Sequence, residues 1–415
     1  MAFFGGEFIG GLLVGPFSDF FGRKTAYLTT LTFCMVFGVS GYFATNRYSW
    51  LVTRFLCGIM SLSFNTAKHA YCLELTCGKW KSRVAHYFGI LPVNLGHLTL
   101  GYLVYRMPNM HYLELTIGLA PLIFMPLWFV LPESPRWLIS KGKLKEGNQV
   151  LLVASKWNKK PHDWVVNQLK KFHLDQNDKE REWKGGMIQD LFKSPGIRRN
   201  SIVMMFCWLA FSIGYIGLLY NTPSSFDANI DLVLIFPALM GIPVSIFQPY
   251  FDNRFGRKSM MTIPLVTAGI LTLITTWIPQ GDPIGNWSVI ILASVSACCS
   301  GMGYGIGYIF TLELYPTLYR TTALGMASAA ARVGSVLSTL IAMLSVIHHS
   351  LPLGIYGIII FAAGISSILL WPETLNMNFP ETLEECEELA STQNSWLKFS
   401  KITNKKTSLK HKSCF

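Results

Sequence analysis

Long apolar segments separated by short charged turns decide what this chain can fold into. Of its 415 residues, 51% are hydrophobic and 14% are charged, and the mean hydropathy is +0.37. A soluble domain carries about a quarter charged residues. The apolar segments are long enough to cross a bilayer as helices, and the short alternating segments of a membrane barrel are not visible. The chain is therefore predicted to be an all-α polytopic membrane protein.

Lys and Arg concentrate in alternate turns between the apolar segments, and this pattern predicts the orientation of the chain. Positive charge is retained on the cytoplasmic side of membrane proteins. The basic turns and the Lys-rich tail are therefore predicted to be cytoplasmic, and the formal charge of +12 does not indicate a nucleic-acid partner. The predicted spans are about 2–17, 25–45, 49–72, 84–105, 111–131, 200–220, 230–250, 259–278, 287–311, 321–346 and 351–371.

The two halves of the chain repeat one another. LELTCGKWKSR at 73–83 corresponds to LELYPTLYRTT at 312–322, and LPESP at 131–135 corresponds to WPETL at 371–375. Parallel repeats of this kind build the halves of one large transporter class. Two predicted spans precede Asp252 in its half, whereas one precedes the matching Asp19. A six-plus-six arrangement thus predicts twelve helices, of which eleven are visible and the first is missing.

These repeats predict four parts of the chain. Residues 1–131 form an N-terminal transmembrane half that lacks its first helix, and 132–199 form a cytoplasmic linker with amphipathic helices. Residues 200–371 form a six-helix C-terminal half, and 372–415 form a cytoplasmic tail. Within the tail, 380–390 is predicted to form a short acidic helix. The basic stretch after it is predicted to contact anionic lipid.

A charged turn occurs at the same place in both repeats. GPFSDFFGRK at 15–24 contains Asp19, Arg23 and Lys24, and QPYFDNRFGRK at 248–258 contains Asp252, Arg257 and Lys258. One such turn alone could be a simple anchor at the membrane surface. Two at symmetric positions, each with a Gly for a tight turn, favour a latch between the halves. An Asp can pair with a base or a helix N-terminus of the other half in one conformation and release it in another.

The sequence resembles the major facilitator superfamily, and within it the organic cation/anion/zwitterion transporters of solute carrier family 22. The resemblance rests on GPFSDFFGRK together with PESPRWLISKGK (132–143), ELYPTLYRTTALGM (313–326), ARVGS (331–335) and PETLNMNFPETLEE (372–385). It is closest to the organic anion transporter branch. It implies twelve helices, a cytoplasmic latch, a central cavity for small organic ions and a multi-pass protein of the plasma membrane.

The resemblance also implies a cytoplasmic network of charged side chains. Lys81 stands where the family usually has an Arg, so its pairing is expected to be weaker, because Lys lacks the bidentate guanidinium fork. The predicted gating residues are Asp19, Arg23, Lys24, Glu74, Lys81, Arg83, Glu133, Arg136, Asp252, Arg257, Lys258, Glu313 and Arg320.

Arg332 lies near the centre of the span 321–346, roughly 15 Å from either end of a helix of that length. An uncompensated charge at that depth costs several kcal/mol. Arg332 therefore either pairs with a buried carboxylate, for which Glu7 is a candidate, or contacts a substrate. The resemblance favours the second reading, because anion-handling members look like ARVGS here and cation-handling members have an Asp. Arg332 is then the counter-ion of a substrate carboxylate or sulfate.

Aromatic and polar residues in the spans are the other substrate-binding candidates. Trp208 and Tyr215 are seven residues apart, and Tyr304 and Tyr308 are four apart, so each pair is expected to share a helix face. The family has aromatic substrate contacts at these positions, although packing alone is also consistent with the pattern. Ser245 occupies a place where anion carriers tend to have Lys. Asn94 and His97 are expected to pack or to line the cavity.

The leading functional prediction is a uniporter or exchanger of small organic anions that works by alternating access. The nearest alternative is a carrier of organic cations or of zwitterions such as carnitine, for which Glu7 and the aromatic residues would dominate. A non-transporting truncated isoform with a scaffold or regulatory role is a third, motivated by the missing span. We find no nucleophile–base pair, metal-ligand spacing or phosphate loop, and predict no enzymatic activity, cofactor or metal.

Overall fold

The computed structural model describes residues 2–76, 80–107, 109–159, 188–219, 230–278, 283–316, 319–348, 350–374 and 386–387, and this part of the chain contains helices and turns without a β-strand. The polar end of the linker, most of the predicted acidic helix and the basic tail lie outside these residues. Nine of the eleven predicted spans each lie on one helix, and the spans 84–105 and 111–131 each contain two helices joined by a π or 3-10 turn. The exact number of membrane crossings remains a prediction.

The part of the N-terminal half that the structure describes forms seven helices. Three of them continue into a different kind of helical turn: α2 into a 3-10 turn at Gly41–Phe43, α4 into a π turn at His86–Ile90 that leads to α5, and α6 into a 3-10 turn at Ala120–Phe124. The helices are α1 (Ala2–Phe21), α2 (Arg23–Ser40), α3 (Arg47–Glu74), α4 (Trp80–Ala85), α5 (Leu91–Arg106), α6 (Met110–Leu119) and α7 (Leu127–Val130).

Two helices follow in the described part of the linker, in the region where amphipathic helices were predicted. They are α8 (Pro135–Ser140) and α9 (Leu144–Trp157), and they pack against each other. Ser134 caps α8 by accepting a hydrogen bond from the backbone N–H of Trp137 at 3.3 Å, and Pro135 occupies the first helical position. Pro is favoured there because its missing N–H would have no partner within the helix.

The described residues of the C-terminal half form six helices. The first continues into a π turn at Ile213–Gly217, and the fifth continues into a 3-10 turn at Met343–Val346. They are α10 (Pro195–Ser212), α11 (Ile230–Phe255), α12 (Arg257–Thr275), α13 (Pro283–Leu314), α14 (Arg320–Ala342) and α15 (Leu351–Leu370). The larger hydrophobic core of the molecule lies here, around the fully buried rings of Trp208, Tyr308, Tyr315, Tyr356 and Trp371.

Eight helical segments of the described chain are long and apolar enough to cross a membrane by length and composition. Large apolar side chains are exposed on their outer surfaces; Phe129 is 93% exposed and Ile123 is 79% exposed. Such surface is unfavourable in water but favourable in lipid, where helices satisfy their own backbone hydrogen bonds. The chain is a multi-pass membrane protein. The eight segments are Arg23–Phe43, Trp80–Arg106, Met110–Val130, Pro195–Gly217, Arg257–Thr275, Trp287–Leu314, Arg320–Val346 and Leu351–Leu370.

The two halves meet along two pairs of helices, α1 with α14 and α5 with α11. Glycines bring α1 and α14 together. A Cβ on Gly325 would clash with the backbone oxygen of Gly11, and a Cβ on Gly15 would lie 3.0 Å from Cα of Thr322. Small residues allow membrane helices to approach closely. We call this contact the α1–α14 seam.

Candidate substrate site and interdomain latch

The first charged turn is held by the PESP motif. Gly22 separates α1 from α2 with φ 106° and ψ 160°, a conformation that is open essentially to glycine alone. Its position lets the carboxylate of Glu133 reach the start of α2, where Oε1 accepts a hydrogen bond from the backbone N–H of Lys24 at 2.9 Å. A negative charge is favourable at a helix N-terminus, whose backbone N–H groups lack partners within the helix.

The second turn repeats this arrangement. Gly256 separates α11 from α12 with φ 96° and ψ 159°. The carboxylate of Glu373 accepts hydrogen bonds from the backbone N–H groups of Arg257 at 2.8 Å and Lys258 at 3.2 Å. Lys24 and Lys258, which the sequence placed in the charge network, therefore contact the acidic residues through their backbones.

Arginine side chains connect the first turn to α3 and the second turn to α13. Nε of Arg23 lies 2.9 Å from Oε1 of Glu74, and Nε of Arg257 lies 3.5 Å from Oε2 of Glu313. Glu74 and Glu313 each also accept a hydrogen bond from a side-chain hydroxyl. The donor is the residue that directly follows Glu133 or Glu373. Ser134 donates to Glu74 at 2.5 Å, and Thr374 donates to Glu313 at 3.0 Å. The twofold sequence repeat is thus also a repeat of side-chain contacts.

Each turn aspartate contacts the opposite half of the molecule. Thr321, at the start of α14, donates a hydrogen bond to Oδ1 of Asp19 at 2.8 Å. Ser82 on α4 donates a hydrogen bond to Oδ2 of Asp252 at 2.6 Å. We refer to the pairs Asp19–Thr321 and Asp252–Ser82 as the interdomain latch.

The two pairs of the latch differ in the basic residue that lies beside the aspartate. Asp19 forms an ion pair with Arg23 at 2.5 Å. The corresponding neighbour of the fully buried Asp252 is His86, whose Nε2 lies 3.6 Å from Oδ2 of Asp252. Nδ1 of His86 lies 2.8 Å from the backbone oxygen of Ser82, which orients the imidazole toward the carboxylate. Sequence reasoning missed His86, Ser82 and Thr321, because their role depends on which helices of the opposite half lie beside each turn.

The remaining predicted gating residues lie close to the latch in two groups. The guanidinium of Arg83 lies 4.8 Å from the ring centre of Trp80 and 5.4 Å from that of Tyr250, so Arg83 stacks on rings from both halves. Arg320 donates from Nε to the backbone oxygen of Tyr315 at 3.0 Å. One cavity between the halves is lined by the predicted residues Glu74, Lys81, Arg136, Glu313 and Arg320.

A second site lies deeper, in the middle of α14. Arg332 is 9% exposed, and its Nη1 lies 3.2 Å from Oε2 of Glu7, which is 6% exposed. Glu7 is thus the partner that the sequence suggested. Nη2 of Arg332 donates a hydrogen bond to the hydroxyl of Tyr304 at 2.9 Å. The guanidinium therefore connects a carboxylate of the N-terminal half with an aromatic ring of its own half.

Three of the four predicted aromatic residues gather beside Arg332. The ring of Tyr304 lies 5.0 Å from that of Trp208 and 5.6 Å from that of Tyr308. Trp208 and Tyr308 are fully buried, and Trp208 donates from Nε1 to the hydroxyl of Thr311 at 3.2 Å. Tyr304 is only partly buried, so it is the ring of this cluster that is open to a ligand in this conformation.

Two polar residues of α3 complete the cluster. The imidazole of His69 stacks on the ring of Tyr308 at 3.9 Å, and Nδ2 of Asn65 donates to the hydroxyl of Tyr308 at 3.1 Å. Sequence reasoning missed both residues. The sequence feature that could have identified them is their spacing: two polar side chains four positions apart in an apolar span lie on one helix face.

Tyr215, the fourth predicted aromatic residue, contacts a different helix from the cluster of Trp208, Tyr304 and Tyr308. Its hydroxyl lies 3.2 Å from Nδ1 of His97 on α5. The π turn at Ile213–Gly217 interrupts the α-helical spacing between Trp208 and Tyr215 on which their shared face depended. Tyr215 and His97 form a separate polar contact between the halves.

Ser245 is also part of a contact between the halves. It is fully buried, donates to the backbone oxygen of Gly241 at 2.6 Å and accepts a hydrogen bond from Nδ2 of Asn94 at 2.9 Å. A Cβ on Gly241 would lie 2.7 Å from the amide of Asn94, so α5 and α11 approach closely at this point. In this conformation, Ser245 and Asn94 pack the helix interface.

The family of the chain follows from sequence comparison. Residues 1–388 match the family described as "Sugar (and other) transporter", and the chain belongs to this family. It is 29% identical over 389 residues to an "Organic cation transporter protein" of Drosophila melanogaster, covering 92% of this chain and 69% of the relative. It is 28% identical over 387 residues to human "Solute carrier family 22 member 13", covering 93% and 68%.

Another relative bears the name of an anion carrier. "Organic anion transporter 3" of Oryctolagus cuniculus is 29% identical over 386 residues, covering 93% of this chain and 70% of the relative. The predicted resemblance to solute carrier family 22 is confirmed by these relatives. Their names include both cation and anion transporters and do not distinguish between the two charges.

Solved structures show the fold. The major facilitator superfamily proton:xylose symporter XylE bound to a bromodeoxyglucose superposes with a TM-score of 0.74 at 21% identity, covering 94% of this chain and 88% of that chain. The inward-open form of XylE from E. coli superposes with a TM-score of 0.65 at 18% identity, covering 94% and 87%. The predicted major facilitator superfamily fold is confirmed, and the chain is a membrane transporter by family and fold.

Proposed function

We propose that this protein carries small organic anions across the plasma membrane, with Arg332 as the positive charge that the substrate contacts. The observation that carries the proposal is the buried guanidinium of Arg332 at the middle of α14, bonded to the partly buried Tyr304. A guanidinium can hold a carboxylate or sulfonate through two parallel N–H bonds. The adjacent rings of Tyr304 and Trp208 suit an aromatic substrate body.

The interdomain latch supports an alternating-access mechanism. Asp19–Thr321 and Asp252–Ser82 join the two halves at one end of the molecule, which we place on the cytoplasmic side with the basic turns and the C-terminal tail. Both contacts connect one half to the other, so separating the halves at this end requires breaking them. The substrate site around Arg332 would then open toward the cytoplasm, while the opposite end closes, as a uniporter or an exchanger requires.

A second candidate is favoured by Glu7. Its carboxylate lies beside the same aromatic cluster, and a carboxylate together with aromatic faces can hold an organic cation or the cationic end of a zwitterion. In that case Glu7 contacts the substrate, and Arg332 mainly neutralises Glu7 in the empty site.

An uptake panel in proteoliposomes that contain the purified chain distinguishes these candidates. The probes are radiolabelled para-toluenesulfonate, tetraethylammonium and carnitine; the sulfonate stays ionised at all working pH values, so it does not leak as a neutral acid. We expect saturable uptake of para-toluenesulfonate that unlabelled sulfonate inside the vesicles accelerates. Uptake of tetraethylammonium or carnitine alone would favour the second candidate, and uptake of none would favour a non-transporting role.

A further inference from the structure

The ion pair between Glu7 and Arg332 places a negative charge where an anionic substrate must bind. Nη1 of Arg332 lies 3.2 Å from Oε2 of Glu7, and both side chains are buried. Glycine packing holds Glu7 in place: a Cβ on Gly58 of α3 would lie 3.2 Å from the backbone nitrogen of Glu7, and a Cβ on Gly6 would clash with the backbone of Phe55. The α1 backbone at Glu7 therefore cannot be displaced toward α3.

The neighbours of Glu7 leave its charge with a single partner when Arg332 binds an anion. The groups that interact electrostatically with Glu7 in the described chain are Arg332 on α14, Cys34 on α2, Cys57 on α3 and Tyr308 on α13. Thiol and phenol groups do not carry a positive charge, so Cys34, Cys57 and Tyr308 cannot replace Arg332 as a cationic partner. An anion on Arg332 would therefore face a buried carboxylate that shares with it the one cationic neighbour found among the described residues, which is strongly unfavourable at low dielectric.

A proton on Glu7 removes this conflict. Protonation turns the carboxylate into a neutral carboxyl group, and the guanidinium becomes available to the substrate. The empty site, with its Glu7–Arg332 ion pair, has a net charge of zero. The loaded site, with a proton on Glu7 and a monoanion on Arg332, also has a net charge of zero. The charge of Glu7 could also be balanced by a cationic group on the substrate itself, but a simple anion has no such group.

We propose that Glu7 is a proton-binding site that couples organic anion transport to proton transport, one proton with each monoanion. This inference rests on the proposed function. From the outside, one proton binds Glu7 and one anion binds Arg332. On the inside, the anion leaves, the proton leaves Glu7, and the Glu7–Arg332 ion pair re-forms before the empty protein returns. Each cycle moves one proton and one negative charge in the same direction, so it is electroneutral.

The pair is placed where the position of the halves can control it. Glu7 belongs to the N-terminal half and Arg332 to the C-terminal half, and they lie on the same α1–α14 seam as the Asp19–Thr321 contact. Because α1 and α14 belong to different halves, a movement that opens the latch also moves α1 relative to α14. Proton release from Glu7 is thereby linked to the conformational step.

The test measures para-toluenesulfonate uptake in proteoliposomes under an imposed pH gradient and an imposed membrane potential. With the outside more acidic by about one pH unit, we expect the wild-type chain to accumulate the sulfonate by about tenfold at equilibrium, as one coupled proton requires. An interior-positive potential should leave the wild-type rate unchanged. A wild-type protein that carries the sulfonate without accumulating it along the pH gradient overturns the proposal.

The variant Glu7→Gln makes the prediction specific. It should carry the sulfonate without accumulation by the pH gradient, and its uptake should rise with an interior-positive potential, because each cycle now moves one net negative charge inward. Glu7→Asp should restore coupling, and the exposed control Glu146→Gln should behave like wild type. Glu7→Gln that remains driven by the pH gradient overturns the proposal. Absence of sulfonate uptake by the wild type at every pH overturns the proposed function itself, and the coupling with it.

Discussion

Oε2 of Glu7 lies 3.2 Å from Nη1 of Arg332, and this ion pair joins the two halves of the molecule at the middle of α14. The same face of α1 carries Gly11, Gly15 and Asp19 at successive intervals of four residues, each in contact with α14. Twelve helical residues span about 18 Å. One helix face thus connects the proposed substrate site near Arg332 with the interdomain latch.

The latch aspartates should control turnover more than substrate binding. Asp19→Asn weakens the hydrogen bond from Thr321 and removes the charge that pairs with Arg23. The latch stabilises the conformation that is closed at this end, and charge-assisted hydrogen bonds are worth about 1.5–3 kcal/mol. Because its loss disfavours the return to that conformation, we expect the exchange rate to fall about tenfold or more while KM changes little. The equivalent Asp252→Asn should act in the same direction through Ser82. Exchange rates equal to those of wild type in both variants would remove the latch role.

The glycines of the two turns should be essential for the stability of the fold. Gly22 and Gly256 adopt a conformation open essentially to glycine alone, and a Cβ on either would clash with the carboxylate of Glu133 or Glu373. Gly22→Ala and Gly256→Ala should each cost about 1–3 kcal/mol and lower Tm in detergent. The control is Gly142→Ala: Gly142 has φ 75° but nothing within 4 Å of its Cβ position. A loss of Tm in the control as large as in the turn variants would show that the carboxylate contacts do not matter.

The two repeated glutamates should make comparable contributions to the stability of their halves. Glu133 accepts one backbone N–H at the start of α2, and Glu373 accepts two at the start of α12. Replacing either by Gln keeps an acceptor but removes the negative charge, so we expect each variant to lose about 0.5–2 kcal/mol. Thermal unfolding of the purified variants measures this loss. A large effect in one half and none in the other would contradict the equivalence of the two turns.

Hydropathy, charge and repeated motifs were sufficient to predict the long helices and the repeat, and they left Glu7 as a candidate partner of Arg332. Charged residues inside apolar spans are rare, so few candidate partners existed for Arg332, and Glu7 was one of them. The contacts of Ser82 and His86 with Asp252, and of His69 with Tyr308, were not predictable in this way. Each joins helices that are distant in the sequence, and the identity of the contacting residue depends on helix crossing rather than on local pattern.

Local irregularities were also missed. The π turns at His86–Ile90 and Ile213–Gly217 carry no distinctive residue pattern, yet each alters the helical spacing that would place side chains on a common face. The seven-residue spacing of Trp208 and Tyr215 therefore did not place the two rings on one helix face. Spacing by four within α13 was reliable, because Tyr304 and Tyr308 lie in an uninterrupted helix.

The glycines of the α1–α14 seam should be required for transport. A Cβ on Gly325 would clash with the backbone of Gly11, so Gly325→Leu should push the helices apart and reduce uptake about tenfold or more. Gly96→Leu is the matched control, because Gly96 is exposed within α5 and a Cβ there meets nothing within 4 Å. The measurement is para-toluenesulfonate uptake by expressing cells, divided by the amount of the protein at the cell surface. Equal uptake by the two variants would contradict a requirement for close contact at the seam.

The proposed function depends on Arg332. Replacing Arg332 alone leaves Glu7 without its ion-pair partner, so a double variant is also needed. Removing one member of a buried ion pair leaves the other charge unpaired, which costs about 3–5 kcal/mol. The double variant Glu7→Gln/Arg332→Gln removes both charges and should fold as well as wild type. Arg106→Ala, an exposed position on α5, is the control for loss of an arginine.

The most direct measurement is saturable uptake of radiolabelled para-toluenesulfonate by Arg332→Ala and by the double variant, at matched amounts of surface protein. We expect uptake to fall to background in both, while Arg106→Ala retains the wild-type rate and Arg332→Lys retains a part of it, because Lys keeps the charge but not the bidentate fork. Wild-type sulfonate uptake by the folded Arg332 variants would contradict the role of Arg332 as the counter-ion of the substrate.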